Sequence, residues 1–121
     1  ELLRTSYSWK TLIGKGVYVS NGSACPVEEP DCLKGIQLAV TRTSLDGTGP
    51  YLPHEAFTVA EALDSFTFRS AEASFEEKVK GRIREGQLAD FVILDKDPFK
   101  VAPQDIRKIK VVAAYLGGRK L

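Results

Sequence analysis

The hydrophobic period changes at Gly81, and that change constrains the fold of these 121 residues more than any other feature. Before it, apolar residues recur at helical spacing. After it, short runs of strand formers alternate with glycine and proline turns. The chain therefore reads as α/β up to about residue 70 and mainly β after about 81. Two segments follow, 1–80 and 81–121, expected in different layers or subdomains.

Arg4 to Lys15 places Tyr7, Trp9, Leu12 and Ile13 at roughly helical spacing, and Gly14 and Gly16 then close a helix. Val17-Tyr18-Val19-Ser20 has no polar break, which fits a short strand buried on both faces. The stretch from Asn21 to Pro30 is a loop leaving its C-terminal end, the edge where α/β sheets carry their ligands. Asp31 is the expected N-cap of a helix reaching Thr43. Thr58 and Glu61 have capping-box spacing before a helix from Val59 to about Phe68. Ser70 to Lys80 reads as a second short helix or irregular turn. Gly81 to Gly86 reads as a strand entering a glycine turn, and Ala89 to Leu94 as a strand. Pro103 to Ile106 is one helical turn, Ile109 to Leu116 a strand, and Gly117-Gly118 turns it into Arg119 to Leu121.

Charge and composition exclude several classes. Seventeen basic against sixteen acidic residues leave a formal charge of +1, so no field points to nucleic acid or an anionic membrane. No apolar run approaches the roughly 20 residues of a membrane span, and no signal-peptide pattern opens the chain. Cys25 and Cys32 match neither redox nor zinc-ribbon spacing. They read as reduced thiols of a cytoplasmic protein, with a disulfide as the alternative. His54 is the single histidine, too few for a zinc site with these cysteines except by accident of folding. The chain holds no methionine and opens on Glu1, so a processed protein or a piece of a larger one is expected. Asn21-Gly22-Ser23 matches a glycosylation sequon and reads more simply as a tight turn.

Five runs in order carry a family resemblance: Gly22 to Val27 (GSACPV), Asp31 with Gly35 to Arg42 (GIQLAVTR), Thr58 to Leu63 (TVAEAL), Gly81 to Asp90 (GRIREGQLAD), and Gly117-Gly118-Arg119. Together they resemble the C-terminal third of the metal-dependent amidohydrolases. The nearest group is amidohydrolase family 3, the YtcJ-like proteins that include the exoenzyme regulatory protein (AepA-like) type. The resemblance implies an α+β fragment: the last βα portion of a (β/α)8 barrel in 1–80, then C-terminal strands of a composite β-sandwich in 81–121. A complete barrel takes about 250 residues, so the rest of the barrel would be this chain's partner.

The resemblance also implies a hydrolase of carbon–nitrogen bonds other than peptide bonds, with a zinc-like divalent metal in the full-length parent. Of the family's ligands, only an Asp after strand 8 falls in this region, within a Gly-Ser-Asp pattern. Ala24 stands at that position, and a methyl group can neither ligate a metal nor accept a proton. No intact catalytic or metal residue is therefore expected, and the fragment is expected to be inactive alone; a pseudo-enzyme or regulatory protein on the same scaffold is the alternative.

Ser23, Cys25 and Arg42 remain as substrate-loop candidates. The blander readings are a turn hydroxyl, a loop filler and a surface helix arginine, and Asp90 reads as a turn-capping carboxylate. Unpaired strand edges would favour self-association of the fragment.

Overall fold

Helix α2 (Cys32–Thr41) forms where its caps dictate. The Asp31 carboxylate accepts from the Lys34 amide at 3.0 Å, satisfying one orphan N–H of the first turn. Helix α3 (Val59–Phe66) begins at a complete capping box, with the Glu61 amide donating to Thr58 Oγ1 at 3.2 Å and the Thr58 amide donating back to Glu61 at 2.8 Å. These elements belong to a computed structural model that describes residues 4–121; the first three residues of the 1–80 segment lie outside the described residues.

The remaining elements are α1 (Trp9–Gly14), a 3-10 turn at Pro53–Glu55, α4 (Phe68–Ala73), a second 3-10 turn at Pro103–Lys108, and strands β1 (Phe91–Leu94), β2 (Val111–Leu116) and β3 (Arg119–Lys120). The strands make one antiparallel sheet in the order β1-β2-β3. Phe91 lies opposite Tyr115, and their rings stack at 4.7 Å, so register and side-chain packing agree. Gly117 and Gly118, at φ 56° and 79°, supply the two left-handed residues of the β2–β3 turn. Asp90 caps that turn, accepting from the Gly117 amide at 2.7 Å.

The core joins both parts of the chain. Ile36, Phe57, Ala62, Ile106 and Ile109 are buried together, with Leu33, Leu63, Phe66 and Leu94 packed around them. The Arg107 amide donates to the Gln37 side chain at 3.0 Å, fastening the second 3-10 turn to α2. The protein is thus a small α+β structure. Among the described residues, no helix is long and apolar enough to cross a membrane.

Three expectations from the sequence change. Val17 to Ser20 forms no regular element and lies outside the sheet. A buried parallel strand needs a neighbour on each side, and the sheet among the described residues is antiparallel and built entirely from residues after 90. Gly81 to Gly86 forms turns rather than a strand: Gly81 takes φ +100°, the Arg82 guanidinium covers the Phe68 ring at 3.4 Å, and the Leu88 amide returns to the Val79 carbonyl at 2.8 Å. The helix from Val59 ends at Phe66, and the second one starts at Phe68 and stops at Ala73. Side-chain hydroxyls cause that break by competing for helix carbonyls: Thr67 donates to Leu63 O at 2.7 Å and Ser70 to Ser65 O at 2.9 Å.

Candidate functional site

The loop that carries Ser23, Ala24 and Cys25 is rooted at Asn21. Its amide donates to the Ser65 carbonyl at 3.0 Å, and its Nδ2 donates to Ser65 Oγ at 2.9 Å. Ser65 is fully buried on α3 and donates its own hydroxyl proton to Ala62 O at 2.7 Å. The loop's far end is held by the Asp31 cap. Between these anchors, Ala24 takes φ 55° and its carbonyl accepts from the Val27 amide at 2.9 Å, closing a turn. An alanine in the left-handed region is strained by contact of its Cβ with the following carbonyl; Gly, Asn and Asp are the residues that visit it routinely.

Ser23 opens onto a cavity of about 510 Å³, whose charged lining is Glu28, Glu29, Asp31, Lys34 and Asp46. Thr48 donates to Asp46 through its backbone amide, at 2.8 Å, which holds that carboxyl below its ordinary value. A smaller cavity of about 230 Å³ lies on the other side of Gly22, lined by Trp9, Arg42 and Glu55 among others. Arg42 ends α2 at φ 55°, and its Nε donates to the Tyr51 carbonyl at 2.9 Å. Its guanidinium therefore braces the loop after α2. Cys25 and Cys32 are exposed free thiols, and Ala24 and Cys25 line neither cavity. Among the described residues, neither Ser23 nor Cys25 hydrogen-bonds a base that could activate it.

Sequence reasoning missed two groups. Ser65 sits at helical spacing from Ala62 on the inner face of α3, a pattern that could have marked it as buried. Glu55 has no such signal. Its side chain is 3 % exposed and accepts from the Thr11 amide at 2.9 Å and from the Thr11 hydroxyl, which together hold its pKa below the ordinary 4.5. His54, next to it, is 3.9 Å from the Glu55 carboxylate and largely exposed.

The residues present do not fit a metal ion. Among the described residues, no group of three or more His, Cys, Asp or Glu side chains could hold one, and position 24 offers only a methyl.

Comparison with known proteins agrees with this part of the molecule being a recurring unit. A family model described as "Amidohydrolase family" matches residues 1–121. The chain is similar to the putative amidohydrolase YtcJ of Bacillus subtilis, at 39 % identity over 98 % of this chain and 23 % of that protein. It is also similar to the Arabidopsis thaliana protein LONG AFTER FAR-RED 3, at 30 % identity over 98 % of this chain and 20 % of that protein. A third relative, the N-substituted formamide deformylase of Arthrobacter pascens, is 32 % identical over 90 % of this chain and 20 % of its own length. The chain thus spans about a fifth of the length of the curated relatives it matches. No solved structure matches it. The family match across residues 1–121 makes this chain a member of the amidohydrolase family.

Proposed function

We propose that this chain belongs to a hydrolase of carbon–nitrogen bonds other than peptide bonds, and that it is inactive without the rest of that protein. Residues 1–80 would supply the last βα portion of a (β/α)8 barrel, and 81–121 the C-terminal strands of a β-sandwich. A zinc-like divalent metal would sit in the parent on ligands outside this chain, since the donors within it do not suffice. The observation that carries the reading is the family match across the whole chain, together with relatives named as an amidohydrolase and a formamide deformylase. Two exposed, unpaired thiols fit a reducing, cytoplasmic setting.

The role of this chain's residues is then positional. Ser23 and Arg42 flank Gly22 from two cavities, so they frame the mouth of the loop without a nucleophile–base pair of their own. The alternative is a pseudo-enzyme or regulatory protein on the same scaffold, and Ala24 favours it. The left-handed backbone at position 24 suits an aspartate better than an alanine, which supports loss of a carboxylate there.

The test assays the purified chain and its longer parent on N-formyl amines and N-acyl amino acids, with zinc or manganese supplied. The chain alone is expected to give no turnover and the parent to hydrolyse members of the panel. Turnover by the isolated chain would overturn the hydrolase-fragment reading. A silent parent that gains activity through Ala24→Asp would establish the pseudo-enzyme.

A further inference from the structure

Asn21 is the only asparagine in the chain, and it is followed by glycine. An Asn-Gly pair is the sequence most open to intramolecular attack, because no Cβ on the second residue hinders approach of its amide nitrogen. We infer that Asn21–Gly22 is a site of spontaneous deamidation, that the Ser65 clamp sets its rate, and that the product frees the loop from α3.

The reaction needs only water. The Gly22 amide nitrogen, after losing its proton to solvent, attacks Asn21 Cγ. A new N–C bond forms, the Cγ–Nδ2 bond breaks, and nitrogen leaves as ammonia. Water then opens the resulting succinimide at either carbonyl, giving aspartate or isoaspartate. No electrons change hands.

Three features of the structure bear on this chemistry. Gly22 is exposed, and among the described residues its amide donates to no protein acceptor, so the attacking nitrogen is available. Gly22 also lies between the two cavities described above, and a Cβ built on it would meet nothing within 4 Å, so a five-membered ring has room to form. Opposing these, Asn21 Nδ2 is held by Ser65 Oγ at 2.9 Å and its backbone amide by Ser65 O at 3.0 Å. The side chain must leave that clamp to be attacked.

The product returns to it only by breaking another bond. Ser65 has one hydroxyl proton, and it is given to Ala62 O at 2.7 Å. The oxygen can therefore accept from an amide NH2, but it has no second proton for a carboxylate. With that proton on Ala62 O two acceptors face each other beside a fully buried group, and turning it to the carboxylate gives up the Ala62 bond; either way the root of the loop is weakened. Isoaspartate adds a backbone methylene at the same point. Either product loosens the root of the 21–31 loop, three residues before Ala24.

The experiment ages the purified full chain in mildly alkaline buffer and follows Asn21 by peptide mass spectrometry and by isoaspartyl methyltransferase labelling. Asp46-Gly47 can also yield isoaspartate, but without the mass gain of an amide-to-acid change, so mass separates the two. Wild type is expected to convert slowly. Gly22→Ala should slow conversion strongly with the fold unchanged, because its Cβ hinders the attacking nitrogen yet meets nothing else. Ser65→Ala, shown to be folded by circular dichroism, should convert about fivefold faster, the factor set by losing one hydrogen bond. Should Ser65→Ala fail to fold, wild type in denaturant replaces it as the unclamped reference, with an acceleration of at least about fivefold expected because both bonds to Ser65 are then lost. Asn21→Asp, which imitates the product, should raise hydrogen exchange in residues 22–30. A chain that deamidates in denaturant but never when folded would overturn the site. Equal rates in the clamped and unclamped states would overturn the gate, and unchanged exchange in Asn21→Asp would overturn the release.

Discussion

Gly81→Ala tests whether the change of period at Gly81 is enforced by packing. Gly81 takes φ +100°, and a Cβ there would lie 2.8 Å from Ala71 Cβ, 3.1 Å from Phe68 Cα and 3.4 Å from Thr67 O. Forcing alanine into left-handed backbone costs roughly 1–2 kcal/mol. Overpacking against α4 adds about 1–3 kcal/mol, because two of the three neighbours are backbone atoms and cannot swing away. The expected loss is about 2–5 kcal/mol. At this length each kcal/mol moves Tm by about 3–5 °C, so the variant should melt about 6–25 °C below wild type.

Gly86→Ala is the internal control. Gly86 also has positive φ, +85°, but its Cβ would meet nothing within 4 Å, so only the backbone contribution of roughly 1–2 kcal/mol applies. The difference between the two variants isolates the clash. Ala71→Gly removes the nearest contact, so the double variant with Gly81→Ala should be more stable than the two single losses predict. Urea unfolding at constant m reads all four variants against wild type. A Gly81→Ala loss no larger than that of Gly86→Ala, or strict additivity with Ala71→Gly, would refute the packing explanation.

Two further outcomes follow from the hydrogen bonds. Helix α1 is fastened to the body by two carboxylates: Glu55 on Thr11, and Glu61 on Lys10. Thr11 lowers the pKa of Glu55; burial pushes Glu61 up, and Lys10 and Thr58 outweigh it, leaving that pKa lowered too. Carboxyls depressed in the folded state contribute stability that is complete above their ordinary value of 4.5 and lost as pH falls through the folded values. Trp9, the only tryptophan, should therefore shift its emission to the red in that acid range, and Glu55→Gln should weaken the pH dependence; a flat titration would refute the fastening. Thr58→Ala removes the acceptor for the Glu61 amide and should cost about 0.5–2 kcal/mol by thermal unfolding, with an unchanged Tm counting against the capping box.

Elements whose determinants are local were legible in the sequence. Asp31, Thr58 and Glu61 sit within three residues of the amides they serve, and Gly117-Gly118 specifies its own turn. Val17 to Ser20 has the composition of a strand, yet a strand exists only with a partner, and composition does not supply one. Gly81 to Gly86 failed for the opposite reason. Its pattern suits an extended run, whereas the positive φ of Gly81 folds the segment back on α4. The candidate site divides in the same way. The loop and its Asp31 cap were legible, whereas Asn21–Ser65 and Thr11–Glu55 each join residues 44 positions apart and become visible only in the fold.

That division explains how family membership and an alanine at position 24 coexist. The loop's shape is set at its ends, by Asn21 on Ser65 and by Asp31 on Lys34, and by the turn between the Ala24 carbonyl and the Val27 amide. All but the two end anchors use backbone atoms, and none uses the side chain at position 24. A carboxylate there would be free of structural duty, because the loop stands on contacts that do not involve that side chain. The backbone at φ 55° keeps the conformation in which aspartate is better tolerated than alanine. Selection on architecture alone would thus retain every anchor while leaving position 24 open to change. Selection on catalysis would not. The stability of the chain is therefore uninformative about catalysis, and in any longer protein that contains it the metal-ligating residues outside this chain would decide between enzyme and scaffold.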